Sequence, residues 1–145
     1  MWMSEENLEI LRRTYGVINS VGRSGPEFVD PEELAPDVWA LLAEDLELHE
    51  RPDLPDAKVY RGRERSKEFW RKTQEIFSRI EWEPKEFIDL DHAVVVMTTV
   101  RATGRGSEVE TELEEADVFW FRDGTIVRLQ AFPSRKEALE AAAGG

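Results

Sequence analysis

The feature that most constrains the fold is a change of hydrophobic period near the middle of the chain. Four segments, WEPKEFIDL (82–90), AVVVMTTVRATG (93–104), EVETELEEADVFWF (108–121) and TIVRLQAF (125–132), carry β-branched and aromatic residues and are separated by DH, GRGS and RDG. Short breaks of this kind join neighbouring antiparallel strands, so the second half predicts a meander. Such a sheet needs an apolar cover on at least one face.

The first half supplies that cover. Ser4 can cap a helix with Glu5 and Glu6 in its first turn, and Leu8, Ile10, Leu11, Val17, Ile18 and Val21 recur at helical spacing. GRSGP (22–26) predicts a loop. DPEE then offers Asp30 as a cap, Pro31 in the first turn and Glu33 to complete a capping box, with Pro36 breaking or restarting the helix. DLELHE (45–50) alternates like a half-buried strand, and RPDLPDAKVYRG reads as a proline-punctuated loop. A helix over about Arg63 to Arg79 follows, with Phe69, Trp70, Thr73, Ile76, Phe77 and Ile80 inward. Ser134 and Glu137 form a capping box for a closing helix. Helices followed by a run of strands predict an α+β fold, with one domain over residues 1–145.

Composition narrows the function. With 31 acidic against 19 basic residues the net charge is −12, which disfavours nucleic acid and anionic membrane surfaces as partners. There is no cysteine, so neither disulfides nor thiolate chemistry is available. The N-terminus MWMSEENLEILRR lacks the basic-then-apolar order of a signal peptide, and no run approaches the ~20 apolar residues of a membrane span. A soluble, cytoplasmic protein is expected. The two histidines, His49 and His92, lack ligand spacing, so no metal and no cofactor is expected.

Two acids break the apolar pattern. In EEADVFWF (114–121) residues two apart share a strand face, so Asp117 lies with Phe119 and Phe121, while Ala116, Val118 and Trp120 face the other way. Either Asp117 is a desolvated pocket acid with a raised pKa, or it is a strand-end acid bonded to a neighbour; Glu115 shares its face. In DLELHE the apolar face is Leu46 and Leu48, and Glu50 is next on it, either as a pocket acid or as a strand-end glutamate paired with Arg51 or Arg61.

The order of elements resembles the nuclear transport factor 2-like (cystatin-like) superfamily, in particular its SnoaL-like branch of polyketide cyclases and ketosteroid isomerase relatives. The resemblance rests on YGVIN, ELHERPD, VYRGRERSKEFW and ADVFWFRDGTIVRLQAF, and spans nearly the whole chain. It implies a cone-shaped barrel in which N-terminal helices cover a curved, mostly antiparallel sheet around an apolar pocket. It also implies catalytic roles for Glu50, at the isomerase's proton-shuttling base, and for Asp117, at the protonated acid of its oxyanion hole. The isomerase tyrosine falls on Thr14. At roughly 100° per residue Thr14 sits amid the apolar stripe and Tyr15 lies about 100° off it, so Tyr15 is expected as a rim or packing tyrosine rather than a donor. Thr14, Tyr15, Trp70, Phe119, Phe121 and Arg101 are the expected pocket lining, Arg101 by likeness to the fold's epoxide hydrolases. On the convex face lie Val118, Trp120, Arg128 and Gln130; the resemblance implies a homodimer interface there, the alternative being packing under the C-terminal segment. Because this fold hosts many activities, three functions stand together: a cofactor-independent isomerase, cyclase or dehydratase acting on a small apolar molecule, a non-catalytic binding module, and epoxide-hydrolase-like activation of water.

Overall fold

A computed structural model describes residues 4–22 and 28–144. The side chain of Ser4 and most of the loop expected at 22–26 lie outside the described residues. In chain order the elements are α1 (Ser4–Gly22), α2 (Pro31–Leu34), α3 (Pro36–Trp39), β1 (Leu42–His49), β2 (Val59–Arg61), α4 (Arg63–Ile76), β3 (Phe77–Asp89), β4 (Ala93–Gly104), β5 (Glu110–Arg122), β6 (Thr125–Phe132) and α5 (Arg135–Gly144). The strands form one open, curved sheet in the order β2-β1-β6-β5-β4-β3, in which only the β1–β6 pair is parallel.

Local chemistry accounts for the boundaries. Asp30 caps α2 by accepting from Glu32 N at 2.9 Å, and Pro36 restarts the chain as α3. Asp123 and Gly124, with φ of 51° and 77°, make the β5–β6 turn; two successive positive φ values suit the twist of a tight hairpin. At the start of α5, Glu137 N donates to Ser134 Oγ at 3.2 Å while the Ser134 hydroxyl donates to Glu137 Oε2 at 3.0 Å.

Two expectations about the first half are corrected. The helix expected to reach Arg79 ends at Ile76, and the chain enters β3 directly at Phe77. Ile76, Phe77 and Ile80 satisfy helical spacing, yet Ile80 and Trp82 also share a strand face, and in the fold both line the central cavity. Inside the expected loop, Val59–Arg61 adds to the sheet edge as β2, pairing with Glu47–His49.

The sheet buries both faces. On the concave side Ile10, Leu11 and Tyr15 of α1 pack with Leu46, Val94, Val96, Phe119 and Ile126. An amide clamp fixes α1 to β3: Asn19 Nδ2 donates to Trp82 O at 2.9 Å and Trp82 N donates to Asn19 Oδ1 at 2.8 Å. On the convex side Ala93, Val95, Ala116, Val118, Trp120 and Phe132 are covered by α5 through Ala138 and Ala142. This double cover explains why the AVVV run of β4 is apolar without alternation. It also corrects the expected dimer patch. Val118 and Trp120, 0% and 5% exposed, are sealed by the chain's own last helix, and the Arg128 guanidinium lies 4.4 Å from the Trp120 ring centroid.

Candidate functional site

Between α1, α4 and the concave sheet face lies an open cavity of about 600 Å³. Its walls are mainly apolar, with Phe69 and Trp70 from α4, Trp82 from β3, Val100 and Ala102 from β4 and Phe119 from β5. Trp70 meets Phe69 and Trp82 edge-on, at centroid distances of 4.9 and 6.0 Å, which fixes the aromatic wall. Two polar clusters interrupt it.

The first is built on β5. Strand parity sends Thr111, Leu113, Glu115, Asp117 and Phe119 into the cavity together. Asp117 is 5% exposed, and its Oδ2 accepts from the Tyr15 hydroxyl at 2.7 Å and the Thr98 hydroxyl at 3.2 Å. Its Oδ1 is buried, and the carboxyl is hydrogen-bonded to that of Glu115. Burial raises the Asp117 pKa above the usual carboxylate range, against the lowering pull of the hydrogen-bonded Glu115 carboxyl, then of those hydroxyls and of Arg51. Burial, and then the charge of Asp117, raises Glu115 likewise, with Arg51 opposing. Arg51 Nη1 lies 3.5 Å from Glu115 Oε1, and the same guanidinium grips Asp53 through two hydrogen bonds of 3.0 Å. The Tyr15 hydroxyl is held far above its ordinary pKa, first by burial and then by Asp117, so it acts as a donor.

The second cluster centres on Glu50, just past the end of β1 and 8% exposed. Its carboxyl accepts from Lys58 N at 3.0 Å and from the Tyr60 hydroxyl at 3.1 Å, and lies 3.5 Å from Lys72 Nζ. Burial, then the charge of Glu50, pushes the Tyr60 pKa up to about 12. The clusters are neighbours across the sheet. His49 is opposite Gln130 and Asp117 is opposite Ala131, so Glu50 and Asp117 flank the small side chain of Ala131 with one strand between them. At about 4.8 Å per strand their backbones are roughly 10 Å apart.

The structure thus brings Glu50, Asp117, Tyr15, Trp70 and Phe119 to one cavity. It corrects three of the other expected positions and one role. Thr14 turns its hydroxyl back to Ile10 O at 2.7 Å and lines an apolar crevice of about 50 Å³ that adjoins the cavity at Trp70 and Phe119. Tyr15 does not sit at the rim; it is 3% exposed and supplies the donor that Thr14 lacks, because its longer side chain reaches across to β5. Arg101 is exposed on the outer face, between the inward-facing Val100 and Ala102, and pairs with Glu83 at 2.8 Å and Glu112 at 3.0 Å. Phe121 lies beyond the cavity's end of β5, past a bulge between Trp120 and Phe121, and packs against the α1 core.

Sequence reasoning missed Arg51, Tyr60 and Glu115 as site residues. Glu115 had a signal, since it shares Asp117's parity. Among the described residues no group of acids and histidines is arranged to hold a metal ion, and no helix is long and apolar enough to cross a membrane.

The sequence model of the SnoaL-like domain matches residues 30–129. Similar solved structures include an NTF2-like protein of unknown function from Burkholderia pseudomallei K96243, at 21% identity, 93% of this chain, 95% of that one and a TM-score of 0.71. A protein assigned as a SnoaL-like polyketide cyclase from Jannaschia sp. CCS1 shows 16% identity, 97% and 94% coverage and a TM-score of 0.70. SalBIII, an epoxide hydrolase/cyclase-like enzyme of pyran ring formation in the polyether salinomycin, shows 16% identity, 92% and 96% coverage and a TM-score of 0.66. No curated protein sequence matches the chain. At these identities the structures speak for the fold alone, while the domain match covers more than half of the residues: the chain belongs to the SnoaL-like domain family.

Proposed function

We propose that the chain is a cofactor-independent enzyme that binds a small apolar carbonyl compound in the central cavity and moves a proton beside the carbonyl. One observation carries this reading: Asp117 and Glu50, both nearly buried, open onto the same apolar cavity from either side of Ala131. A carbonyl oxygen placed at Asp117 meets an acid that burial favours in its neutral form, backed by the Tyr15 hydroxyl on Oδ2. Such a donor strengthens as negative charge develops on the oxygen, which is the condition for lowering a barrier rather than only binding. Glu50 takes the proton from the adjacent carbon, and Lys72 beside it offsets charge.

Three donors already address the Glu50 carboxyl, and this favours a second reading, in which the cavity holds its ligand without transforming it. Deuterium exchange separates the two. The chain is incubated with a panel of apolar ketones in heavy water, and loss of the α-proton is followed by NMR. The first reading expects exchange that falls at least about 10²-fold in Glu50→Gln. Binding of a panel ketone without exchange establishes the second.

A further inference from the structure

We propose that Glu115 and Asp117 work as one proton-sharing carboxyl pair, with Arg51 as the positioning residue that keeps the charge on Glu115 and the proton on Asp117. Its catalytic consequence rests on the proton-transfer reading above; the pair itself does not. The two acids are i and i+2 on β5, so their side chains leave the same strand face with backbones roughly 7 Å apart. Two buried carboxyls this close resist ionising together, and the pair titrates as a unit.

The surroundings of the two acids are unequal. Glu115 has the guanidinium of Arg51 at 3.5 Å and lies on the Arg51 and Asp53 side of the cavity. Asp117 has no cation in hydrogen-bond contact. Its Oδ2 receives two hydroxyls, and its carboxyl is hydrogen-bonded to that of Glu115, so one proton lies between the two acids. A cation stabilises the adjacent charged carboxylate, so the electron-rich member of the pair is the one beside Arg51.

The other groups around the pair leave this asymmetry in place. Tyr15 approaches from α1 as a neutral donor. Asp53 is bound to Arg51, and Glu50 is bound to Lys72 and Tyr60. His49 turns its ring to Glu47 at 2.8 Å. The pair therefore carries one charge and one proton: Glu115 holds the charge beside Arg51, and Asp117 holds the proton.

Carbon-13 NMR of the carboxyl carbons, followed against pH in the full ligand-free chain, tests the assignment. Near pH 7 the wild type is expected to show Asp117 at the protonated position and Glu115 at the ionised one. Arg51→Gln is expected to raise the Glu115 apparent pKa by about one unit or more, and Arg51→Lys to restore most of it. Glu115→Gln removes the like charge and is expected to lower the Asp117 value; it decides the matter if Arg51→Gln does not fold. Finding Glu115 protonated and Asp117 ionised in the wild type, or neither carboxyl moved by Arg51→Gln, overturns the proposal. A chain that exchanges no ketone proton yet shows this titration loses the enzymatic reading and keeps the pair.

Discussion

Replacing Asp117 by Asn converts the site's electrostatics into a stability measurement. The substitution keeps an acceptor for the Tyr15 and Thr98 hydroxyls and a side-chain donor, while removing the ionisation. Because burial raises the folded-state pKa, the folded chain holds a proton at Asp117 that the unfolded chain releases near pH 3.9. In that interval the folded state binds more protons than the unfolded state, so wild-type stability falls as pH rises. One proton gives a slope of about 1.4 kcal/mol per pH unit. Over the interval in which the folded chain keeps that proton and the unfolded chain has released it, the wild type is thus expected to lose stability relative to Asp117→Asn at up to that slope. Urea melts at a series of pH values report the difference directly, and comparing the two chains cancels titrations elsewhere. A variant that is strongly destabilised at pH 7, with a wild type that gains stability over the same interval, would show that Asp117 is an ionised structural acid.

Other perturbations test the scaffold. A Cβ on Gly22 comes 2.1 Å from Ile80 O, so Gly22→Ala must push α1 from β3 and is expected to cost about 2 kcal/mol in denaturant melts. Phe119→Ala, at a ring 1% exposed, is expected to cost roughly 3–5 kcal/mol by the same assay. Trp120→Glu places a charge beneath α5; it should lower the urea midpoint or prevent folding, rather than yield a well-folded chain that differs only in its light-scattering mass. Arg101→Ala removes only exposed ion pairs on the outer face, and is expected to change stability by less than about 1 kcal/mol and leave ketone exchange unaltered.

What the sequence revealed followed from how local each signal is. Strand parity is a property of neighbouring residues, so the shared face of Asp117 and Phe119, and that of Leu48 and Glu50, could be read without knowing any partner strand. Arg101 needed more: its side of β4 depends on register, and one residue separates the cavity from solvent. Tyr15 failed for a different reason. A helical wheel gives direction about an axis, but not how the helix lies across a sheet or how far a phenol reaches, and Tyr15 reaches Asp117, 102 residues away in sequence. The three residues of β2 carry almost no pattern, and their pairing with Glu47–His49 is set by the return of the loop. Arg51 reads in the sequence as a partner for its neighbour Glu50; only the path of that loop brings it to Glu115. Trp120 looked like an interface residue because α5, with its alanines, announces little apolar bulk, yet small residues are what let a helix lie close over the sheet.

The central claim is that Asp117 presents a proton to a carbonyl oxygen inside the cavity. The most direct measurement is the carbon-13 resonance of a ketone labelled at its carbonyl carbon, taken from the exchange panel and bound to the protein. A strong donor draws electron density towards oxygen and moves that resonance downfield from its position in an apolar solvent. The shift is expected in the wild type and in Glu50→Gln, to be smaller in Tyr15→Phe, which loses the hydroxyl behind Asp117, and to be absent in Asp117→Leu. A bound ketone whose resonance is unshifted in the wild type, or shifted equally in Asp117→Leu, contradicts the account.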